Sequence, residues 1–167
     1  IRNEVYNASC LSPCGASLID DAGISGILQP SGTVCGSGVI PEVVLTNYGT
    51  STLSSTIIEY QVNSGPVLVF NWSGSLDPGL SQTVLLPGIT FGFGSQTFTA
   101  STSSPNGNTD NDPANDSSTS NFTSLMPQTY YADNDGDSYG DPAASVSDCT
   151  PPAGYVPNAL DCDDTDA

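Results

Sequence analysis

The stretch YYADNDGDSYGDPAASVSDCTPPAGYVPNALDCDDTDA, from Tyr130 to the last residue, carries nine aspartates between Asp133 and Asp166 and no lysine, arginine or histidine. Carboxylates at this density repel one another, and nothing in the segment neutralises them. An ordered fold here therefore calls for cations from outside the chain. The rest of the sequence supplies almost none. Eighteen acidic residues face one base, Arg2, and the 167-residue chain has a formal net charge of −17.

That balance excludes whole classes of function. Binding to a phosphate backbone works by lysine and arginine releasing counterions, so nucleic-acid recognition is ruled out. An anionic membrane surface is disfavoured for the same reason. No run of about eighteen apolar residues is present, so no helical membrane span is expected. Without histidine, neither a Ser-His-Asp nor a Cys-His arrangement is possible. No phosphate-binding loop, dinucleotide fingerprint or GxSxG motif occurs. Glu59 alternates with Ile58 and Tyr60 and is expected to face solvent rather than serve a catalytic carboxylate pair. The chain reads as a non-enzyme. Metal ions are the partners its charge fits.

Within the acidic segment, Asp133, Asp135 and Asp137 recur at every second position, and Asp141 follows Gly140. In a tight loop the i, i+2, i+4 spacing lets three carboxylates converge on one cation. The Tyr139 backbone carbonyl and Asp141 then follow in the ligand order of an EF-hand loop. The match is partial. The glycine is Gly136, while the sixth position is Ser138, and Ala144 stands where the bidentate glutamate belongs. The missing ligands are expected from DCDDTDA, that is from Asp161, Asp163, Asp164 and Asp166. A set of hard oxygens selects Ca²⁺ over transition metals, and calcium tolerates an irregular cage better than magnesium.

The five cysteines, Cys10, Cys14, Cys35, Cys149 and Cys162, lack the paired knuckles and histidines of a zinc site. Disulfides in an oxidising, extracellular or cell-surface location are the better reading. A Cys149–Cys162 bridge can fold the second acidic cluster onto the first, with an entropic gain of at most about 3 kcal/mol for so short a loop. Cys14–Cys35 is the next pairing, leaving Cys10 over. The abrupt ends, IRNEVYNASC and DCDDTDA, suggest a piece of a longer protein, and no signal peptide is recognisable.

Three segments are expected. Residues 1–21 read as an irregular N-terminal linker. Residues 22–125 hold about seven short strands: AGISGIL, VIPEVVLTN, STIIEYQVN, VLVFNW, QTVLLP, SQTFTAST and SSTSNFTS. Turn-forming clusters such as NYGTS, NSGP and LDPGL separate them. Ser64-Gly65 reads as a hairpin turn, and Trp72 as core packing between sheets. The fold class is all-β, an Ig-like antiparallel β-sandwich with an irregular, calcium-bound, disulfide-stapled C-terminal extension over 126–167. The loop NTDNDPAND, with Asp110, Asp112 and Asp116, reads as solvated, with a second, looser calcium site as the alternative.

The acidic pattern YYADNDGDSYGD…C…PPAGYV…DCDDTD resembles the metal-binding repeat of secreted bacterial, Bacteroidota-like proteins, which is similar to thrombospondin type 3 calcium repeats. The middle segment, with VVLTNYGTSTLSSTIIEYQVNSGPV and DNDPANDSSTSNF, resembles bacterial CARDB-type adhesion domains, which are Ig-like sandwiches. The resemblance implies an accessory, non-catalytic role in an adhesin or beside a secreted metalloprotease, with neighbouring domains as partners. A different class of function is a self-assembling fibre subunit, in which copies of the chain donate strands to one another. Carbohydrate binding is weaker, because Trp72, Phe70 and Tyr60 are few for an aromatic platform.

Overall fold

The computed structural model describes residues 19–161. Two sheets pack face to face. One has three strands in the order β1 (Ala22–Gln29), β4 (Glu42–Asn47) and β7 (Ser81–Leu85), all antiparallel. The other has five, in the order β2 (Gly32–Cys35), β10 (Ser117–Leu125), β9 (Gly94–Ser103), β5 (Leu53–Val62) and β6 (Leu68–Leu76). All its pairs are antiparallel except β2 with β10, which run parallel. A short β3–β8 ladder (Gly38–Val39 with Ile89–Thr90) lies beside them.

Alternation along the strands explains why these residues make a sandwich. In β9, Gln96, Phe98, Ala100 and Thr102 are buried while the residues between them are not. In β5, Thr56, Ile58 and Tyr60 point inward and Glu59 outward. Leu53 is also buried, although its parity is wrong for that face. A register shift between Leu53 and Ser55 restores it, because one extra residue exchanges the two faces of a strand. Ile24, Val43, Leu45 and Val84 from the smaller sheet meet Ile58, Trp72, Phe98 and Phe122 from the larger one in a single core. Phe98, Leu45 and Ile58 are fully buried, and each contributes about 1.5–3 kcal/mol by leaving water. Trp72 belongs to this core as the sequence suggested, and its indole lies along its own strand over Gly74.

All seven expected strands are present. β5 and β6 form the expected hairpin, with Asn63 (φ 51°), rather than a glycine, in the left-handed region. One strand of the larger sheet, β2, was not expected. The loop 104–116 departs from the solvated reading. It lies against Asp20 and Asp21, with Asn106 Nδ2 and Asn108 Nδ2 donating to the two Asp20 carboxylate oxygens at 2.8 Å each.

The turn after β4 is built around Asn47, which is 1% exposed. Its Nδ2 donates to the carbonyls of Ser51 and Leu76, both at 2.8 Å, and its Oδ1 accepts from the Gly49 amide at 2.9 Å. The amides of Tyr48 and Gly49 both donate to the Asp21 carbonyl at 2.9 Å. Gly49 is required by close approach, since a Cβ there would sit 2.6 Å from the Ile19 carbonyl oxygen.

Beyond β10, after Met126 and Pro127, the chain enters a small antiparallel sheet. Its central strand is β11 (Gln128–Ala132), flanked by β12 (Ser145–Asp148) and β13 (Tyr155–Val156). Tyr130 and Ala132 are its buried side chains. A disulfide joins Cys35 to Cys149, with the Cα atoms 5.6 Å apart. This corrects both expected pairings, Cys149–Cys162 and Cys14–Cys35. The parallel β2–β10 register sets Cys35 opposite Leu125, and the β11–β12 register sets Asp148 opposite Gln128. Cys149 therefore arrives beside the same Leu125, whose carbonyl is 3.5 Å from its sulfur. Cys10, Cys14 and Cys162 lie outside the described residues.

Candidate metal centre

The loop between β11 and β12 is held by the sheet at both ends. The Asp133 amide donates to the Gly154 carbonyl at 2.9 Å, and the Asp141 amide to the Ala132 carbonyl at 2.8 Å. Between these anchors the aspartates fold the loop on themselves. Asp133 Oδ1 accepts from the Gly136 amide (2.8 Å) and its Oδ2 from the Ser138 amide (3.2 Å). Asp135 Oδ1 accepts from Asp137 (3.1 Å), and Asp137 Oδ1 from Tyr139 (2.8 Å). These side chain–to–backbone turns curl the chain so that alternate carboxylates face one centre.

Gly136 and Ser138 both take positive φ, 83° and 75°. Ser138 is the sixth position of the loop, where an EF-hand places an invariant glycine to make its sharp turn. The backbone conformation is thus kept without the glycine. Asn158 Nδ2 supports it by donating to the Ser138 carbonyl at 2.9 Å.

Among the described residues, one group of three brings its carboxylate oxygens within 4.8 Å of one another, and it is Asp133, Asp135 and Asp137. Asp135 Oδ2 is buried with no hydrogen-bond partner among the described residues. The amide of Asp137 favours the charged form of Asp135. Loss of solvation and the neighbouring charges of Asp137, Asp161 and Asp133 outweigh it, so the Asp135 pKa is raised. Asp161 therefore lies close enough to act on Asp135. Its amide donates to the Gly140 carbonyl at 3.2 Å, which carries the start of DCDDTDA back to the loop.

Of the expected ligands, Asp133, Asp135 and Asp137 are brought together, and Asp161 lies near enough for its charge to act on Asp135. Asp141 is turned to its own loop, with Oδ1 accepting from the Ala143 amide at 2.7 Å. Tyr139 has a half-exposed ring, and its amide caps Asp137. Asp163, Asp164 and Asp166 lie outside the described residues. Three converging hard-oxygen side chains in a loop without a base, with Asp161 nearby, suit calcium by charge and donor type. Asp21 and Asn115, which no sequence pattern singled out, form a second acidic constellation with the loop 104–116. Their only local signal is the Asp20-Asp21 pair immediately before β1.

No family model matches the chain, and no curated protein matches it by sequence. Among solved structures it is similar to the CARDB domain of the PF1109 protein from Pyrococcus furiosus, crystallised in complex with di-metal ions. The identity is 19% and the TM-score 0.51, over 65% of this chain and 96% of that one. The solution NMR structure of the same domain gives 21% identity and a TM-score of 0.50, over 64% and 95%. The sandwich of this chain thus has the fold of a CARDB domain.

Proposed function

We propose that this chain is a non-catalytic, extracellular, calcium-binding structural module of a larger secreted or cell-surface protein. In this reading residues 22–125 are the CARDB-like sandwich and residues 126–167 an acidic repeat of thrombospondin type 3 character. Residues 1–21 form a linker. Calcium, held by Asp133, Asp135 and Asp137 with Asp161, and completed by Tyr139, Asp141, Asp163, Asp164 and Asp166, stiffens the repeat. A neighbouring domain is then held at a fixed distance and angle. Binding free energy becomes folding free energy of the repeat.

The observation that carries this reading is the convergence of Asp133, Asp135 and Asp137 within 4.8 Å. The CARDB neighbour with di-metal ions supports metal binding on this fold, and the disulfide supports an oxidising location. The test is calorimetric titration of calcium into the full chain, with thermal melts in calcium and in chelator. Micromolar-to-millimolar binding lost in Asp135→Asn supports the module. Titration without heat, and identical melts, overturn it.

A second reading, a self-assembling fibre subunit, draws on β6. It is an edge strand of the larger sheet, with Leu68 and Val69 exposed beside Val67. Such an edge accepts a donated strand. Concentration-dependent rods in electron microscopy favour the fibre, and a constant monomer mass favours the module.

A further inference from the structure

Asp21 is 1% exposed, yet its Oδ2 is buried with no hydrogen-bond partner among the described residues. Its position is fixed on every other side. The Asp21 carbonyl accepts from the amides of Tyr48 and Gly49, and its Oδ1 accepts from Asn115 Nδ2 at 2.9 Å. The side chain therefore cannot turn out to water. Burial, and after it the charges of Asp110 and Asp112, raise the pKa of this carboxyl against the opposing hydrogen bond from Asn115.

Two more buried oxygens at the same place lack partners among the described residues: Asn115 Oδ1 and Asp116 Oδ1. Asp110 stands beside them, close enough to hydrogen-bond Asp116. The framework around the four is rigid. Asp110 Oδ2 accepts from the Ala22 amide (3.1 Å) and Oδ1 from the Asp112 amide (2.9 Å). The Asp116 carbonyl accepts from the amides of Ile24 (3.3 Å) and Thr102 (3.1 Å). A Cβ on Gly23 would run into the Asn115 carbonyl, so β1 and the loop meet without room to relax.

Buried carboxylates with unsatisfied oxygens are strongly unfavourable unless a positive charge meets them. The sequence has one basic side chain, Arg2, for all of its carboxylates. We propose that Asp21, Asp110 and Asp116, with the amide oxygen of Asn115, form a second divalent-cation site of calcium type, at the seam between β1 and the loop that leads into β10. All four donors are hard oxygens, as calcium prefers, and solvent completes the six to eight it takes. These carboxylates are spread more widely than the Asp133 trio, so on this rigid framework solvent supplies a larger part of the ion's shell. The site differs from the one in the acidic repeat in place and in effect. It clips the start of β1 to the β9–β10 connection, across the seam where the two sheets of the sandwich meet.

The test uses the full chain, stripped of metal and then titrated with calcium. Bound ions are counted by equilibrium dialysis, and amide exchange is followed by mass spectrometry in two regions, 108–118 and 131–161. Asp116→Asn is expected to lose one bound ion per chain. Calcium protection of 108–118, about tenfold in the unaltered chain, is lost while that of 131–161 is kept. Asp135→Asn gives the reverse pattern, so failure of this site and failure of the repeat are distinguishable. Asp116→Asn also removes a repelling charge, so it is expected to melt higher than the unaltered chain in chelator and lower in calcium. A site with a purely structural role does not invert sign in this way. An unchanged ion count in Asp116→Asn, or calcium protection confined to 131–161, overturns the proposal.

Discussion

Cys35, at the end of β2, and Cys149, just after β12, are bonded across 114 residues of sequence. The bond ties the small acidic sheet to the edge of the larger sandwich sheet. Ten of the thirteen described strands, β3 to β12, lie within the loop it closes, so its effect on the unfolded chain is large.

Cys35→Ser is therefore expected to lower stability by up to about 5 kcal/mol, as chain entropy gives for a loop of this length. Cys149→Ser should cost the same, and the double variant no more than either alone, because both remove one bond. Urea unfolding of the three variants measures this. Equal stability of Cys35→Ser and the unaltered chain would sink the assignment.

Asn47 fixes the turn after β4 through three hydrogen bonds at 2.8–2.9 Å. Asn47→Ala takes the side-chain donor from the Ser51 and Leu76 carbonyls in a buried place and leaves the Gly49 amide with the Asp21 carbonyl alone. The expected loss is about 3 kcal/mol, read from the urea midpoint with an unchanged slope. Because the same turn pins the Asp21 backbone, calcium protection of 108–118 should weaken as well.

Gly140 is where the acidic loop packs most tightly on its sheet. A Cβ there would lie 2.5 Å from Tyr131 Cβ and 2.7 Å from the Asn158 carbonyl oxygen. Gly140→Ala is expected to destabilise the extension by about 1–3 kcal/mol through overpacking. Hydrogen exchange should speed up in 131–161 and stay unchanged in β5. Uniform loss of protection along the whole chain would mean that the extension and the sandwich unfold as one unit.

Burial first, then the charge of Asp110, a hydrogen bond with Asp110 and the charge of Asp21, push the Asp116 pKa from the usual 3.8 up to about 6, against a smaller opposing effect of Thr102. The folded state thus holds this proton more tightly than the unfolded one. Its contribution to stability is full below about pH 4 and is lost as the pH rises through about 6. In chelator, the gap in melting temperature between Asp116→Asn and the unaltered chain should therefore widen in favour of the variant from pH 4 to pH 7. A gap independent of pH would contradict the shift.

The sequence by itself determined what depends on neighbours along the chain. Alternation in β5 and β9, broken by turn residues, gave the strands and the face each presents, because a strand places every second side chain on one side. The spacing of Asp133, Asp135 and Asp137 was legible for the same reason. Each carboxylate captures an amide two to five residues on, so the loop is assembled from local hydrogen bonds. Tertiary structure decided the rest. GTVC is too short to announce a strand, and only its parallel register on β10 brings Cys35 to Cys149. Asp21 read as the last residue of a linker, while the loop holding Asp110, Asn115 and Asp116 read as solvated. They meet because sandwich closure carries β1 against the β9–β10 connection, about ninety residues away in sequence. Spacing along the chain records contacts within a turn. Contacts across a core are set by which sheets find each other.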